Sequence, residues 1–202
     1  MKSSFFAIAA AGAFSLSALV PAVAQDSVPS GEYTFDPDHS VISFHYDHLG
    51  FSTSYGLVRG VTGAINLDVE NPQNSSVEAS FPLSNLLSVA EEMDGHLRGE
   101  DFFNSPEGDQ QITFTSTSVE LDDDGDEARV TGDLTLNGVT KEVVLDVELN
   151  KAGNHPMGNV PTVGFSAETK LNRSDFNLGA FAPAISDEVE IEISVEASQQ
   201  AE

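Results

Sequence analysis

Five histidines, His39, His45, His48, His96 and His155, give this 202-residue chain its widest scope for chemistry. Neutral imidazole binds zinc and copper and titrates near neutrality. Their spacing along the chain does not favour a metal centre. His45 and His48 lie an odd number of positions apart, so on one strand they point to opposite faces. His39, His96 and His155 fall in separate turns with no Cys or Met beside them, whereas a metal needs ligands that converge in number and geometry. Asp122 to Glu127 resembles half of a calcium loop, but counted from Glu120 the twelfth position is Thr131 instead of Glu. It reads as a solvated hairpin tip. No Gly-x-Ser-x-Gly nucleophile turn, no Cys and no Ser, His and Asp grouping offers nucleophilic catalysis. Carboxylates such as Glu91, Glu92 and Asp101 are too common in so acidic a chain to signal an acid–base pair. No catalytic residue and no metal ligand is assigned, and no cofactor is required.

The elements that would carry these side chains are strands. From Gly31 onward apolar residues recur with period two, the pattern of strands with one dry face. Ile42, Phe44 and Tyr46 alternate with Val41, Ser43, His45 and Asp47. Val189, Ile191, Ile193 and Val195 alternate with outward positions that are nearly all Glu. Similar runs cover 55–68, 77–82, 111–121, 127–136, 139–150 and 162–171. Asn137-Gly138 is a hairpin signal, and Asp122 to Asp126 is an acidic reverse turn. Gly56, Gly60 and Gly63 inside one run predict bulges or sharp coiling. Residues 84–103 break the period and read as a helical or irregular insertion, and Asn172–Phe176 reads as one helical turn. About eight evenly spaced strands make an antiparallel barrel or a sandwich, and the pattern does not choose between them.

The first residues read as a secretory leader: Lys2, an apolar stretch from Phe5 to Val20, then Pro21 and Ala22-Val23-Ala24, with cleavage after Ala24. Residues 25–202 then form one domain with enough chain to bury a core. No later stretch is long and apolar enough to anchor in a membrane. Cysteine is absent, so packing and strand pairing must stabilise the fold. The 33 acidic residues against 8 basic ones repel phosphate backbones and anionic headgroups, which excludes nucleic acid as a partner.

Particular residues resemble a known family. His39-Ser40 and Phe44, then His48-Leu49-Gly50-Phe51-Ser52, Gly56, Gly63 and Leu67-Asp68 resemble the opening of the YceI-like domain. The likeness runs on through 97–103, Ile112-Thr113-Phe114, 131–141, 164–167 and 172–176 to Ile185-Ser186-Asp187-Glu188-Val189. Two positions depart from the pattern: Asn177 where relatives often have Gly, and Leu57 where many have Phe. The resemblance implies an all-β fold, an extended eight-stranded antiparallel lipocalin-like barrel with a short helical insertion, exported to the periplasm. It further implies a bound polyisoprenoid of the quinone or polyprenyl type in an apolar pore, and a homodimer.

An eight-stranded barrel is filled by side chains or holds one slender ligand. Large inward candidates (Phe44, Phe114, Phe165) mixed with small ones (Ala79, Ser116, Gly132, Ala167), and no Trp, leave room for a narrow channel. The pore and rim are assigned to Ile42, Phe44, Tyr46, His48, Phe51, Tyr55, Leu57, Phe81, Phe102, Phe103, Ile112, Phe114, Leu134, Phe165, Phe176 and Phe181. His39 and His48 bracket the second run and either touch a head group at the mouth or set the strand ends through loop backbone. Each isoprene unit gains roughly 3–4 kcal/mol when buried, so three or four units approach nanomolar affinity. The expected function is a carrier for a long isoprenoid lipid. The alternatives are a lipocalin-fold enzyme acting on a quinone-like substrate through His39 or His48, and a stress-related structural protein.

Overall fold

The structure, a computed structural model, describes residues 28–122 and 127–199. The leader read at residues 1–24 and most of the acidic turn after Asp122 lie outside them.

The strands are β1 (Gly31–Phe35), β2 (Val41–His48), β3 (Ser52–Arg59), β4 (Thr62–Leu67), β5 (Ser76–Pro82), β6 (Leu86–Ser88), β7 (Gln111–Leu121), β8 (Glu127–Leu136), β9 (Val139–Asn154), β10 (Pro161–Asn172) and β11 (Glu188–Ser198). Pairing shows that the first six are three long strands, each interrupted once. β1 and β2 both run along β11: Phe35 sits opposite Ala197, and pairing resumes with Val41 opposite Ser194 after Asp36–Ser40 loops out. β4 and β3 pair with the other side of this bent strand. Their own break falls at Gly60, whose φ of +63° is open to glycine. β5 and β6 follow, divided by a 3-10 turn at Leu83–Asn85. Counted this way, eight antiparallel strands succeed one another in chain order, and β11 closes the ring on β1. The barrel implied by the resemblance is the observed fold.

The irregular stretch at 84–103 holds the single α-helix among the described residues, α1 (Glu91–Arg98), together with the short strand β6, which the broken periodicity concealed. Glu91, Glu92 and Asp94 lie in the first turn of α1 and Arg98 in the last, each matched to the helix dipole. Asp94 also accepts a hydrogen bond from the Ser88 hydroxyl at 2.6 Å, which ties the helix to the end of β6.

Period two governs the walls. On β11, Val189 and Ala197 are buried and Ile191, Ile193 and Val195 half-buried, while Glu188, Glu192 and Ser194 are exposed. The inward residues meet inward residues of neighbouring strands: Ile191 faces Phe44, Ile193 faces Ile42 and Ala167, and Val195 faces Phe165.

Two glycines lie under aromatic rings, and one of them, Gly132, departs from the expected widening of the interior. A Cβ on Gly56 would fall 2.1 Å from the Phe44 ring, and one on Gly132 would fall 2.4 Å from the Phe114 ring and 2.7 Å from the Thr115 carbonyl oxygen. Each glycine is the seat on which an aromatic ring lies. Gly132 is therefore covered by Phe114 and does not border the interior space. Ser116 does not border it either. The β7–β8 register shifts between Ser116 and Ser118, and the Ser116 hydroxyl there accepts the Val77 N–H at 2.9 Å.

Candidate functional site

The barrel encloses an elongated cavity of about 690 Å³, within the range of natural ligand pockets. Its lining follows β7 from Ile112 to Leu121, a run of about 30 Å at strand rise. Nearly every lining side chain is aliphatic or aromatic. The polar exceptions include Tyr46, His48, His96, Thr169 and Arg173. Water in such a space would lack the two to four polar partners it needs, so the cavity suits an apolar occupant.

Two packed clusters border this space. One gathers Tyr33, Phe35, Val58, Val61, Val163 and Ala197, with Tyr33 fully buried and its hydroxyl donating to the Pro29 carbonyl at 2.7 Å. Burial raises the pKa of that phenol. The other gathers Leu83, Phe103, Ile112, Phe176 and Leu178.

Most of the sequence-assigned residues come together here. Ile42, Phe44, Tyr46, His48, Phe81, Phe102, Phe103, Ile112, Phe114, Leu134, Phe165, Phe176 and Phe181 all line the cavity. Phe51, Tyr55 and Leu57 do not, and strand parity explains the last two. Phe44 is opposite Gly56, which makes Gly56 and Val58 the inward residues of β3 and turns Tyr55 and Leu57 outward. Tyr55 is 56% exposed and stacks on His45 across the outer face at 5.4 Å; Leu57 is 45% exposed. Phe51 is 90% exposed in the turn from β2 to β3. His39 also lies away from the cavity, on the outer surface, where its Nδ1 meets Asp36 Oδ2 at 2.8 Å. The side chain thus closes the bend between β1 and β2, which agrees with a role in setting the strand ends.

Sequence reasoning favoured aromatics and passed over the aliphatic wall. Val189, Ile191, Ile193 and Val195 line the cavity, as do Val143, Leu145 and Val147 of β9. The alternation that identified these strands was itself the signal for their inward faces. Met93, His96 and Leu97 reach the cavity from one face of α1, at the i, i+3, i+4 spacing of a helix. His96 sits on this helix instead of in a turn and meets Phe102 edge-on at 5.3 Å. The broken period of that stretch allowed a helix but did not say which of its residues face the cavity.

At the His48 end a single cation organises the rim. Arg173 Nε donates to the Ser186 carbonyl at 2.9 Å, Nη2 to Ile185 at 3.1 Å, and Nη1 to both Leu178 and Ala180. Burial lowers its pKa. Next to it, the Asp187 carboxylate accepts from the Ser174 hydroxyl at 2.6 Å and the Ser174 N–H at 2.8 Å, and those bonds lower its pKa. The segment held this way meets the β2–β3 turn through Leu49 N–H to Ala184 at 3.2 Å and Ser186 N–H to Asp47 at 3.0 Å. Leu49 and Phe181 both line the cavity and stand exposed, so they mark its mouth. Asn177 has φ of 60°, a left-handed conformation that Asn tolerates best after Gly.

Comparison with known proteins follows this geometry. Protein YceI of Escherichia coli O157:H7 is 40% identical over 176 residues, covering 86% of this chain and 90% of its own. Protein YceI of Salmonella arizonae is 39% identical over the same length. Among solved structures, the Campylobacter jejuni YCEI protein superposes with a TM-score of 0.68 at 27% identity, covering 77% of this chain and 90% of that one. BcnA of Burkholderia cenocepacia gives a TM-score of 0.70 at 21% identity, over 81% of this chain and 99% of its own, and shares the fold. So does a polyisoprenoid binding domain from Saccharophagus degradans, with a TM-score of 0.59 at 14% identity over 83% of this chain and 98% of that one. A family profile described as the YceI-like domain matches residues 33–197, and the chain belongs to that family.

Proposed function

We propose that this protein is an exported periplasmic carrier that holds one long isoprenoid chain, of the quinone or polyprenyl type, in its cavity and performs no chemistry of its own. The observation that carries this reading is the cavity: about 690 Å³, elongated and lined almost throughout by aliphatic and aromatic side chains. Burial of each isoprene unit contributes roughly 3–4 kcal/mol, so a chain spanning several units is retained without any charged contact. The name of the Saccharophagus degradans domain, a polyisoprenoid binding domain of the same fold, supports the ligand class. The basic, apolar and small-residue parts of the first 24 residues support export.

Native mass spectrometry and organic extraction of protein purified from its own periplasm test the proposal. The expected result is about one long-chain isoprenoid per barrel. Ala167 borders the cavity, so Ala167→Phe should lower that stoichiometry while the barrel stays folded. Protein that yields no lipid, and that takes up no isoprenoid quinone after delipidation, would overturn the reading.

A further inference from the structure

The barrel closes where β11 meets the bent strand formed by β1 and β2, and the seam is not continuous. After Phe35 pairs with Ala197, five residues, Asp36 to Ser40, leave the ladder before Val41 pairs with Ser194. Both ends of this bend are fastened to the backbone of one residue, Glu196. The Asp36 N–H donates to the Glu196 carbonyl at 2.8 Å, and the Ser40 hydroxyl bridges the Glu196 carbonyl and N–H at 3.3 Å each. The bend is thereby centred over the residue whose side chain emerges on the outer face.

We propose that Asp36, His39 and Glu196 form a binding site for a divalent transition-metal ion, Zn²⁺ in the first instance, that bridges the closing seam of the barrel. One carboxylate oxygen from each acid and one imidazole nitrogen lie within 4.8 Å of one another, a spread that one ion can draw together. Asp36 Oδ2 and His39 Nδ1 already converge at 2.8 Å. An imidazole with two carboxylates suits a borderline ion such as Zn²⁺, whereas Mg²⁺ and Ca²⁺ prefer oxygen alone. Three protein ligands leave a fourth position for water, and the His39 side chain, 67% exposed, leaves the site open to it.

A second imidazole stands beside Glu196. His155, in the turn between β9 and β10, accepts the Met157 N–H on Nδ1 at 3.3 Å, which leaves Nε2 facing the seam. That nitrogen is 3.8 Å from Glu196 Oε1. The contact is longer than a hydrogen bond and places the imidazole beside the carboxylate, where a protonated ring would compete with a metal ion for it. Three segments far apart in sequence meet here, which is why the spacing of the histidines along the chain did not reveal the site. The surplus of 33 acidic over 8 basic residues raises the local concentration of any cation. The site is on the outer wall and does not depend on the lipid-carrier reading.

Titration of the metal-stripped full chain with Zn²⁺ by calorimetry, and with Co²⁺ by visible absorption, tests the proposal. One strong equivalent is expected, with Co²⁺ bands of a nitrogen and oxygen ligand set and a Tm raised by Zn²⁺ but not by Mg²⁺. His39→Ala and Glu196→Gln should each weaken Zn²⁺ binding at least tenfold, and His155→Ala by less than either. Asp133→Asn, at an exposed acid elsewhere, should leave binding unchanged. The Tm of each variant without metal reports that it remains folded. Weak binding at many sites, or a strong site that survives both His39→Ala and Glu196→Gln, would overturn the assignment.

Discussion

The two halves of the barrel wall are built differently. From β7 to β11, five strands of 10 to 16 residues continue through two register shifts, beside Ser116 and beside Gly164, without leaving the ladder. From β1 to β6, three strands are each interrupted once, at Asp36–Ser40, at Gly60 and Val61, and at Leu83–Asn85. The unbroken half supplies most of the aliphatic lining. The bent half supplies Tyr46, His48, Leu49 and, through the insertion that follows β6, the helix face of Met93, His96 and Leu97. Regular pairing makes a wall, whereas interruptions let the chain turn inward and shape an opening.

The largest expected effect comes from unfastening the two halves where they meet. Arg173→Met removes the donors to four carbonyls, of Leu178, Ala180, Ile185 and Ser186, at the contact between the β10–β11 connection and the β2–β3 turn. A loss of about 3 kcal/mol is expected in urea denaturation. Amide exchange should be faster across residues 177–187.

The two aromatic seats sharpen the comparison. Gly132→Ala, in the unbroken half, drives a methyl against the Thr115 carbonyl oxygen as well as the Phe114 ring, and a paired backbone carbonyl yields less readily than a side-chain ring. A destabilisation of about 2 kcal/mol is expected. At Gly56, in the bent half, the three nearest atoms all belong to the Phe44 ring, which can swing into the cavity. Gly56→Ala should therefore cost about 1 kcal/mol and reduce lipid capacity more than stability. Equal losses at the two sites would show that the halves are equally stiff.

A smaller effect depends on pH. The Asp187 pKa lies below its ordinary value because of the Ser174 hydroxyl, the Ser174 N–H and the Arg173 charge. A carboxylate with a lowered folded pKa adds stability above its unfolded value, about 4, and that stability disappears as pH falls through the folded value. Asp187→Asn should be less stable than the parent at about pH 6, and the two curves should converge as pH falls below the lowered folded value. The smallest effect is expected on the outer face. Leu57→Ser should change stability by no more than about 0.5 kcal/mol and leave lipid content unaltered, since Leu57 does not border the cavity.

Much of this was readable before the structure. The unbroken strands were legible because period two persists for ten residues or more, and β7 and β8 match the expected runs at both ends. The choice of barrel over sandwich was not, because closure depends on β11 reaching β1, a long-range pairing that no local pattern encodes. The family resemblance supplied it. Phe44, Phe114 and Phe165 were read as inward by alternation and line the cavity. Tyr55 and Leu57 were misplaced because parity within β3 is fixed by Gly56, whose burial a side-chain pattern does not register. Ser116 was misplaced because a bulge shifts the register beside it. Arg173 was invisible as a rim residue, since its partners are carbonyls, and every residue has one.

The order in which the chain meets its own surface carries one last consequence. β11 pairs with β10 on one side and with both β1 and β2 on the other, so the ring stays open until the segment Glu188–Ser198 docks. Contacts of such high sequence separation slow folding, and the incomplete form would display two exposed ladders able to recruit another molecule. Docking of β11 removes both edges at once, and the glutamates on its outward face, Glu188, Glu190 and Glu192, set like charges along the last strand to be paired, a feature that blunts edge-to-edge association.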